Sequence, residues 1–275
     1  SKLFFGHILR MLVALVVWGT AYALVTQVSA AGLSWASIKA ALWQVLQGKT
    51  HFHLWFLYMI VGLYLITPIL RAFVRGASRA DFHWFFLLCF VFANLLPTLL
   101  RLWPNETVRL WVNNLNLHLV LGYVGYYVLG YYLKTYTLNR AAEYLIYLLG
   151  ILGAVVTVGG TAWLSQQRGT LVQTLYNYDS PNIALMSVAV FVFFRYVLGV
   201  SEERSRRQRM SSVAQVSFGV YLVHVFFLIV LDRLHITVLS FPPVLAVPAL
   251  TAAVFLCSFA VAWLISKIPL VGRYL

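Results

Sequence analysis

Eight apolar runs, each long enough to cross a bilayer, follow one another along the chain: 9–29, 54–74, 82–101, 117–134, 143–165, 182–200, 212–231 and 243–266. A crossing helix takes about 20 mostly apolar residues, since backbone groups in hydrocarbon find no water and must bond one another. Charged residues are only 10% of the 275 and hydrophobic ones 62%. A soluble domain carries about a quarter charged residues, so this chain lacks the polar surface to fold in water. The sequence predicts an all-α, polytopic transmembrane helical bundle with eight spans, organised as one domain over 1–275.

Between the first two runs, residues 33–47 carry Trp35, Ile38, Leu42, Val45 and Leu46 at helical spacing behind Ser34, a residue suited to cap a helix. The segment is too short to cross, and its pattern predicts a helix lying in the membrane interface. The net charge of +13 does not call for nucleic acid, because membrane chains hold Lys and Arg in their cytoplasmic loops. With a cytoplasmic N-terminus, fourteen of the 20 Lys and Arg face inside and six face outside. Both termini are therefore expected inside, with 201–211 as a basic cytoplasmic loop and the His51/His53 stretch at the outer face. The first run is too long for a signal peptide and lacks a small-residue cleavage site. Cys89 and Cys257 fall within apolar runs and read as small buried hydrophobes rather than a disulfide pair.

Polar side chains at membrane depth are costly and point to function. His224 stands in such a run, with Ser217 and Tyr221 three and four residues apart on one helical face. The same pattern serves a structural polar seam between helices. His53 and Trp55 open the second run, and Tyr58 is expected on the side of His53 and Leu54; Trp55 also suits the aromatic belt of an interface. Tyr123, Tyr126, Tyr127, Tyr131 and Tyr132, with Gly122, Gly125 and Gly130, predict close helix packing or a cavity wall. Arg10, Arg71, Arg75, Arg79 and the run Arg204–Arg209 fit a phosphate-rich ligand such as a coenzyme A moiety, and equally fit the positive-inside bias.

Other classes drop out. The sequence holds no phosphate-binding glycine loop, no dinucleotide fingerprint, no zinc-protease motif and no Gly-x-Ser-x-Gly elbow. Its seven acidic residues lie nearly all in loops. With none read inside a span, neither a carboxylate metal site nor a carboxylate relay is expected. Acid–base chemistry by imidazole and guanidinium is left, on a neutral or anionic substrate. A transporter or flippase for a polar or lipid-linked solute would use the same cavity without chemistry.

Three blocks resemble the acyltransferase-3 family of bacterial membrane O-acyltransferases, its surface-polysaccharide enzymes in particular. They are His53-Leu54-Trp55-Phe56-Leu57-Tyr58 leading to Leu65-Ile66-Thr67-Pro68, then Gly122-Tyr123-Val124-Gly125-Tyr126-Tyr127-Val128-Leu129-Gly130, then Ser217-Phe218-Gly219-Val220-Tyr221-Leu222-Val223-His224. Arg10 in His7-Ile8-Leu9-Arg10 is a weaker fourth match, where relatives have Arg-x-x-Arg. The resemblance implies a multi-pass protein of the bacterial cytoplasmic membrane, ten spans in the complete protein, acetyl-CoA or another acyl-CoA as donor, and a glycan or lipid-linked sugar as acceptor. It implies supporting catalytic roles for His53 and His224, acyl-CoA contacts from Arg10 and Arg71, a channel lined by Trp55, Tyr58, Ser217 and Tyr221, and no metal. The family's first-span signature, an Arg eleven positions before a His, is absent: no Arg or Lys here precedes a His at that distance. The expectation is that the two spans carrying it lie outside these residues.

Overall fold

Six of the apolar runs fold into helices long and apolar enough to cross a bilayer: Gly6–Ala31, Phe52–Gly76, Arg79–Leu102, Arg140–Arg168, Val216–Arg233 and Pro243–Ser266. The computed structural model describes residues 4–115, 117, 122–200 and 210–268, with side chains described from residue 6 and, after the third break, from residue 216. Every regular element among them is helical. The run at 117–134 appears as α7 (Val124–Thr135), its beginning lying largely outside the described residues. The run at 182–200 becomes α10 (Pro181–Tyr196), whose 16 residues rise about 24 Å, short of the ~30 Å of hydrocarbon. Pro181 starts it in the first turn, and Gly199 beyond its end takes a left-handed φ of 59°. The basic loop at 201–211 falls almost wholly outside the described residues.

The chain forms two compact units, Ser1–Leu65 with Glu203–Leu275, and Ile66–Glu202. In the first, α1 (Leu9–Ala31) ends at Gly32, and α2 (Trp35–Leu46) folds back against it. Ser34 caps α2 as its sequence predicts, its Oγ accepting from the Ser37 amide at 3.1 Å. The close return is possible because Gly19 leaves room on α1; a β-carbon there would sit 3.1 Å from the Thr50 methyl. The last two helices, α11 (Met210–Arg233) and α12 (Pro243–Ser266), form a packed pair. Helix α11 runs parallel to α1: Arg10 lies over Phe218, the Tyr22 hydroxyl donates to the Leu222 carbonyl, and Arg233 donates to Ser29. Between them sits a core of Met11, Leu15, Tyr22, Leu54, Leu57 and Leu222. Lipid tails are as apolar as leucine, so this contact is held by close packing and by buried hydrogen bonds rather than by exclusion of water.

The second unit begins in the C-terminal half of α3 (Trp55–Gly76). Ser78 and Asp81 form a reciprocal capping box that starts α4 (Arg79–Cys89). A π-helical turn at Phe90–Leu95 joins it to α5 (Leu96–Leu102). The following loop contains α6 (Glu106–Asn114), capped by Asn105. After α7, α8 (Arg140–Val155) passes through a second π-helical turn into α9 (Thr161–Arg168). Helices α8 and α10 pack at Gly150 and Gly153, where a β-carbon would overlap Ala189 or the Asn182 carbonyl. Arg101 and Asp179 pair, tying the end of α5 to the segment before α10.

Two expectations change. Glu143 lies inside α8, 4% exposed, paired with Arg140 at 3.2 Å and receiving the Tyr147 hydroxyl at 3.1 Å, so a carboxylate does enter a spanning helix. It is tolerated because it sits in the first turn, where a positive dipole end and a neighbouring arginine compensate the charge. Both cysteines are free, but only Cys89 is buried, against Gly125; Cys257 is exposed on α12. Gly125 thus serves close packing, while Gly130 takes the other expected role and lines a cavity.

Candidate active site

The chain enters α3 through a tight turn at Phe52–Leu54 whose first bond runs from the Leu54 amide to the His51 carbonyl at 2.9 Å. A turn of this kind advances about 120° per residue instead of 100°. Here it carries His53 and Leu54 inward while Phe52 and Trp55 remain exposed. The buried side of α3 then continues through Leu57, and Tyr58 falls off it, 40% exposed. The expectation that Tyr58 shares the side of His53 is therefore corrected: five positions at about 100° each place it about 140° round the helix from His53.

His53 is 5% exposed and its ring lies among five others, Phe52 of the same turn included. The Tyr22 ring meets it edge-on at 4.7 Å between centroids, His224 edge-on at 5.5 Å, and Tyr221 at 5.8 Å. His51 completes the group, its Nδ1 lying 3.0 Å from His53 Nδ1. Two Nδ1 atoms at that separation share one proton, so at least one of the two rings is neutral. Burial holds the His51 imidazole below its usual pKa, in keeping with a neutral ring.

Helix α11 fixes the other half. The Tyr221 hydroxyl donates to the His53 backbone carbonyl, which pins the entry turn to α11. One turn on, His224 Nδ1 lies 2.6 Å from the Tyr221 backbone carbonyl. A carbonyl can only accept, so Nδ1 carries the hydrogen and the neutral ring presents its lone pair at Nε2. His224 also lines a largely apolar cavity of about 540 Å³ between α11 and α12, whose far end holds Asp232 and Thr237. Ser217, one turn before Tyr221, is exposed.

Arg10 joins from α1. Its guanidinium lies 5.5 Å from the Phe218 ring centroid, and its Nε is buried without a hydrogen-bond partner. Phe218 in turn stacks near Tyr221 at 6.3 Å. A ladder thus leads from Arg10 through Phe218 and Tyr221 to His53, His51 and His224. Arg71 belongs to the second unit, where with Arg75 and Lys134 it lines a separate cavity of about 730 Å³. No cluster of three metal-ligating side chains exists among the described residues.

Imidazoles with a fixed tautomer, a tethered backbone and a guanidinium whose Nε is buried are parts suited to moving a proton beside an anionic group. The acyltransferase domain model of the acyltransferase-3 family matches residues 1–266. The chain belongs to that family. It is accordingly an acyltransferase of the multi-pass membrane type, and the transfer is not aminoacyl transfer. No curated protein and no solved structure matches the chain.

Sequence reading picks out His53, Tyr221, His224 and Arg10 of this acyltransferase, and the fold brings the first three into contact. It passes over two members. His51 stands next to His53 but reads as solvated until the Nδ1 contact appears. Tyr22 is the only tyrosine between Leu9 and Ala31, and nothing in the local pattern announces that it meets residues about 200 positions away on α11.

Proposed function

We propose that this membrane acyltransferase moves an acetyl or other short acyl group from acyl-coenzyme A to a hydroxyl of an extracytoplasmic polysaccharide or glycolipid. On this reading it works in the bacterial cytoplasmic membrane with both termini cytoplasmic, which the fourteen-to-six distribution of basic residues supports. Residues 1–275 act as one acyltransferase domain, with α2 in the interface and no metal.

The observation that carries the reading is the committed tautomer of His224, with Nδ1 held by the Tyr221 carbonyl and Nε2 left to accept. The acceptor hydroxyl oxygen attacks the thioester carbonyl carbon and loses its proton to imidazole. The tetrahedral intermediate collapses with cleavage of the C–S bond, and the proton passes to the departing thiolate. Buried N–H groups facing the intermediate stabilise its oxyanion. His53 and His224 handle the proton, Tyr221 and Ser217 with Trp55 and Tyr58 line the acceptor route, and Arg10 binds phosphates of the donor, with Arg71 a phosphate contact within its own unit. The chain carries no Arg–His pair eleven positions apart, so the two histidines support the transfer and the reading does not make either its sole base.

The test is thiol release from acetyl-CoA in membranes holding the full-length protein, with and without a glycan acceptor. Release is expected only with acceptor present, and His224→Ala is expected to abolish it at unchanged expression. Full turnover by His224→Ala removes that residue from the mechanism, and acceptor-independent silence of the wild type removes the donor assignment.

A further inference from the structure

In the second unit, two helices present matching stripes to one cavity of about 730 Å³: Thr67, Leu70, Arg71 and Val74 from α3, and Tyr127, Gly130, Tyr131 and Lys134 from α7. Both sets recur at three and four residues, the spacing of a single helical face. The Thr67 and Tyr127 hydroxyls meet at 3.3 Å at one end of the cavity. Arg71, Arg75 and Lys134 gather at the other.

Arg71 and Arg75 differ from most other basic side chains of the unit. Arg79 lies over the Tyr136 ring at 4.9 Å, Arg195 donates to the Tyr136 carbonyl at 3.0 Å, and Arg140 pairs with Glu143. Among the described residues no carboxylate pairs with Arg71 or Arg75, and no acidic residue lines the cavity. A general excess of inward-facing charge would scatter these groups; here three converge on one concave surface of a size that takes a small-molecule ligand. Planar guanidinium groups with a nearby ammonium and phenol hydroxyls form a donor set matched to phosphate oxygens.

We propose that the Arg71/Arg75/Lys134 cavity binds a phosphate ester, with the guanidinium and ammonium groups holding its oxygens and Tyr127 and Tyr131 flanking the rest of the ligand. Two sources supply that chemistry, coenzyme A and an anionic phospholipid headgroup. The coenzyme A arm rests on the acyl-transfer reading; the phosphate chemistry stands without it.

The test uses the full chain in phosphatidylcholine nanodiscs, with labelled coenzyme A binding measured at low and high salt. Co-purifying phosphatidylglycerol is measured separately in detergent by mass spectrometry. Arg71→Gln/Arg75→Gln removes charge. Gly130→Leu fills the cavity without touching charge, since a β-carbon at Gly130 meets nothing within 4 Å and folding is not opposed. Both are expected to weaken one of the two ligands at least tenfold with the unfolding temperature of the wild type. Loss of coenzyme A names the donor as the source, and loss of retained phosphatidylglycerol alone names the lipid. Unchanged binding of both ligands in both variants overturns the site. Acyl transfer that proceeds with neutral cavity variants leaves the acyl-transfer reading standing without this site, whereas normal cavity binding without any transfer does the reverse.

Discussion

Tyr221→Phe isolates the bond between α11 and the turn that enters α3. The substitution removes one oxygen and keeps the ring, so the contacts of Tyr221 with Phe56, Phe218 and His53 persist. It also leaves His224 in place, because His224 is held by the backbone carbonyl of residue 221 and not by the phenol. What is lost is the single donation to the His53 carbonyl. A net hydrogen bond of this kind contributes about 0.5–1.5 kcal/mol to stability, and nothing here is left as an unsolvated charge. The protein is therefore expected to stay folded with a small fall in unfolding temperature. The effect on transfer is larger: with the turn released, His53 and its shared proton with His51 shift against His224, and a displacement of about 1 Å costs on the order of 10²-fold in rate. The assay is acceptor-dependent coenzyme A release with kcat and KM separated, beside thermal unfolding of the same preparation. A positioning role lowers kcat and leaves KM near the wild-type value. Wild-type kcat in a Tyr221→Phe protein, or a fall in activity that follows the loss of folded protein, refutes the argument.

Acid should act through His51. Its folded pKa is lowered by burial, so the unfolded chain takes up the proton first as pH falls; this group's contribution is complete above about 6.5 and is lost below it. A second proton also breaks the Nδ1–Nδ1 bond with His53, so transfer is expected to fall on the acid side of that value. A pH–rate profile of His51→Ala that keeps the same acid limb would show that another group is responsible. Gly150→Leu should separate α8 from α10, since a side chain there overlaps Ala189; a loss of about 1–3 kcal/mol is expected in denaturation, and none would mean the helices adjust freely. Glu143→Gln should be tolerated because the amide still accepts from Tyr147, while Glu143→Ala should cost about 1–3 kcal/mol by orphaning that hydroxyl. Equal stability of the two variants would remove Glu143 from the packing of α8.

The spanning helices were legible because hydrophobic runs of that length admit one solution in lipid, and the Ser34 cap because its chemistry is local. The site was legible in part for the same reason. A histidine in an apolar run stands out, so His53 and His224 can be found one at a time, and Tyr221 follows from its spacing to His224. Tyr22 cannot, since its role arises from the parallel packing of α1 on α11, a contact between opposite ends of the chain, and His51 cannot, since its role appears only once the turn sets its Nδ1 against that of His53. The side of Tyr58 has a local cause: five positions is not a helical repeat, and it is Leu57, four positions on, that is buried with His53. Glu143 was misjudged because it falls at a span boundary, where sequence does not separate a capped first turn from a loop.

Arg10 and His53 raise a question that ordinary packing does not answer. The polar side chains around them are matched: Tyr22 to the Leu222 carbonyl, Tyr221 to the His53 carbonyl, His224 to the Tyr221 carbonyl. Yet Arg10 Nε and His53 Nε2 are both buried with no partner. Unpaired buried hydroxyls at Thr98 and Thr161 in the second unit cost about 1–3 kcal/mol each, and a charged donor costs more. A structural seam would spend its hydrogen bonds on the most expensive groups first. Around Arg10 and His53 the inexpensive hydroxyls of Tyr22 and Tyr221 are satisfied while a guanidinium N–H and an imidazole nitrogen stay open, at the two ends of a ladder joined by Phe218 and Tyr221. That distribution fits groups reserved for a ligand: an anionic acyl donor at Arg10, and the proton of a hydroxyl nucleophile among the imidazoles.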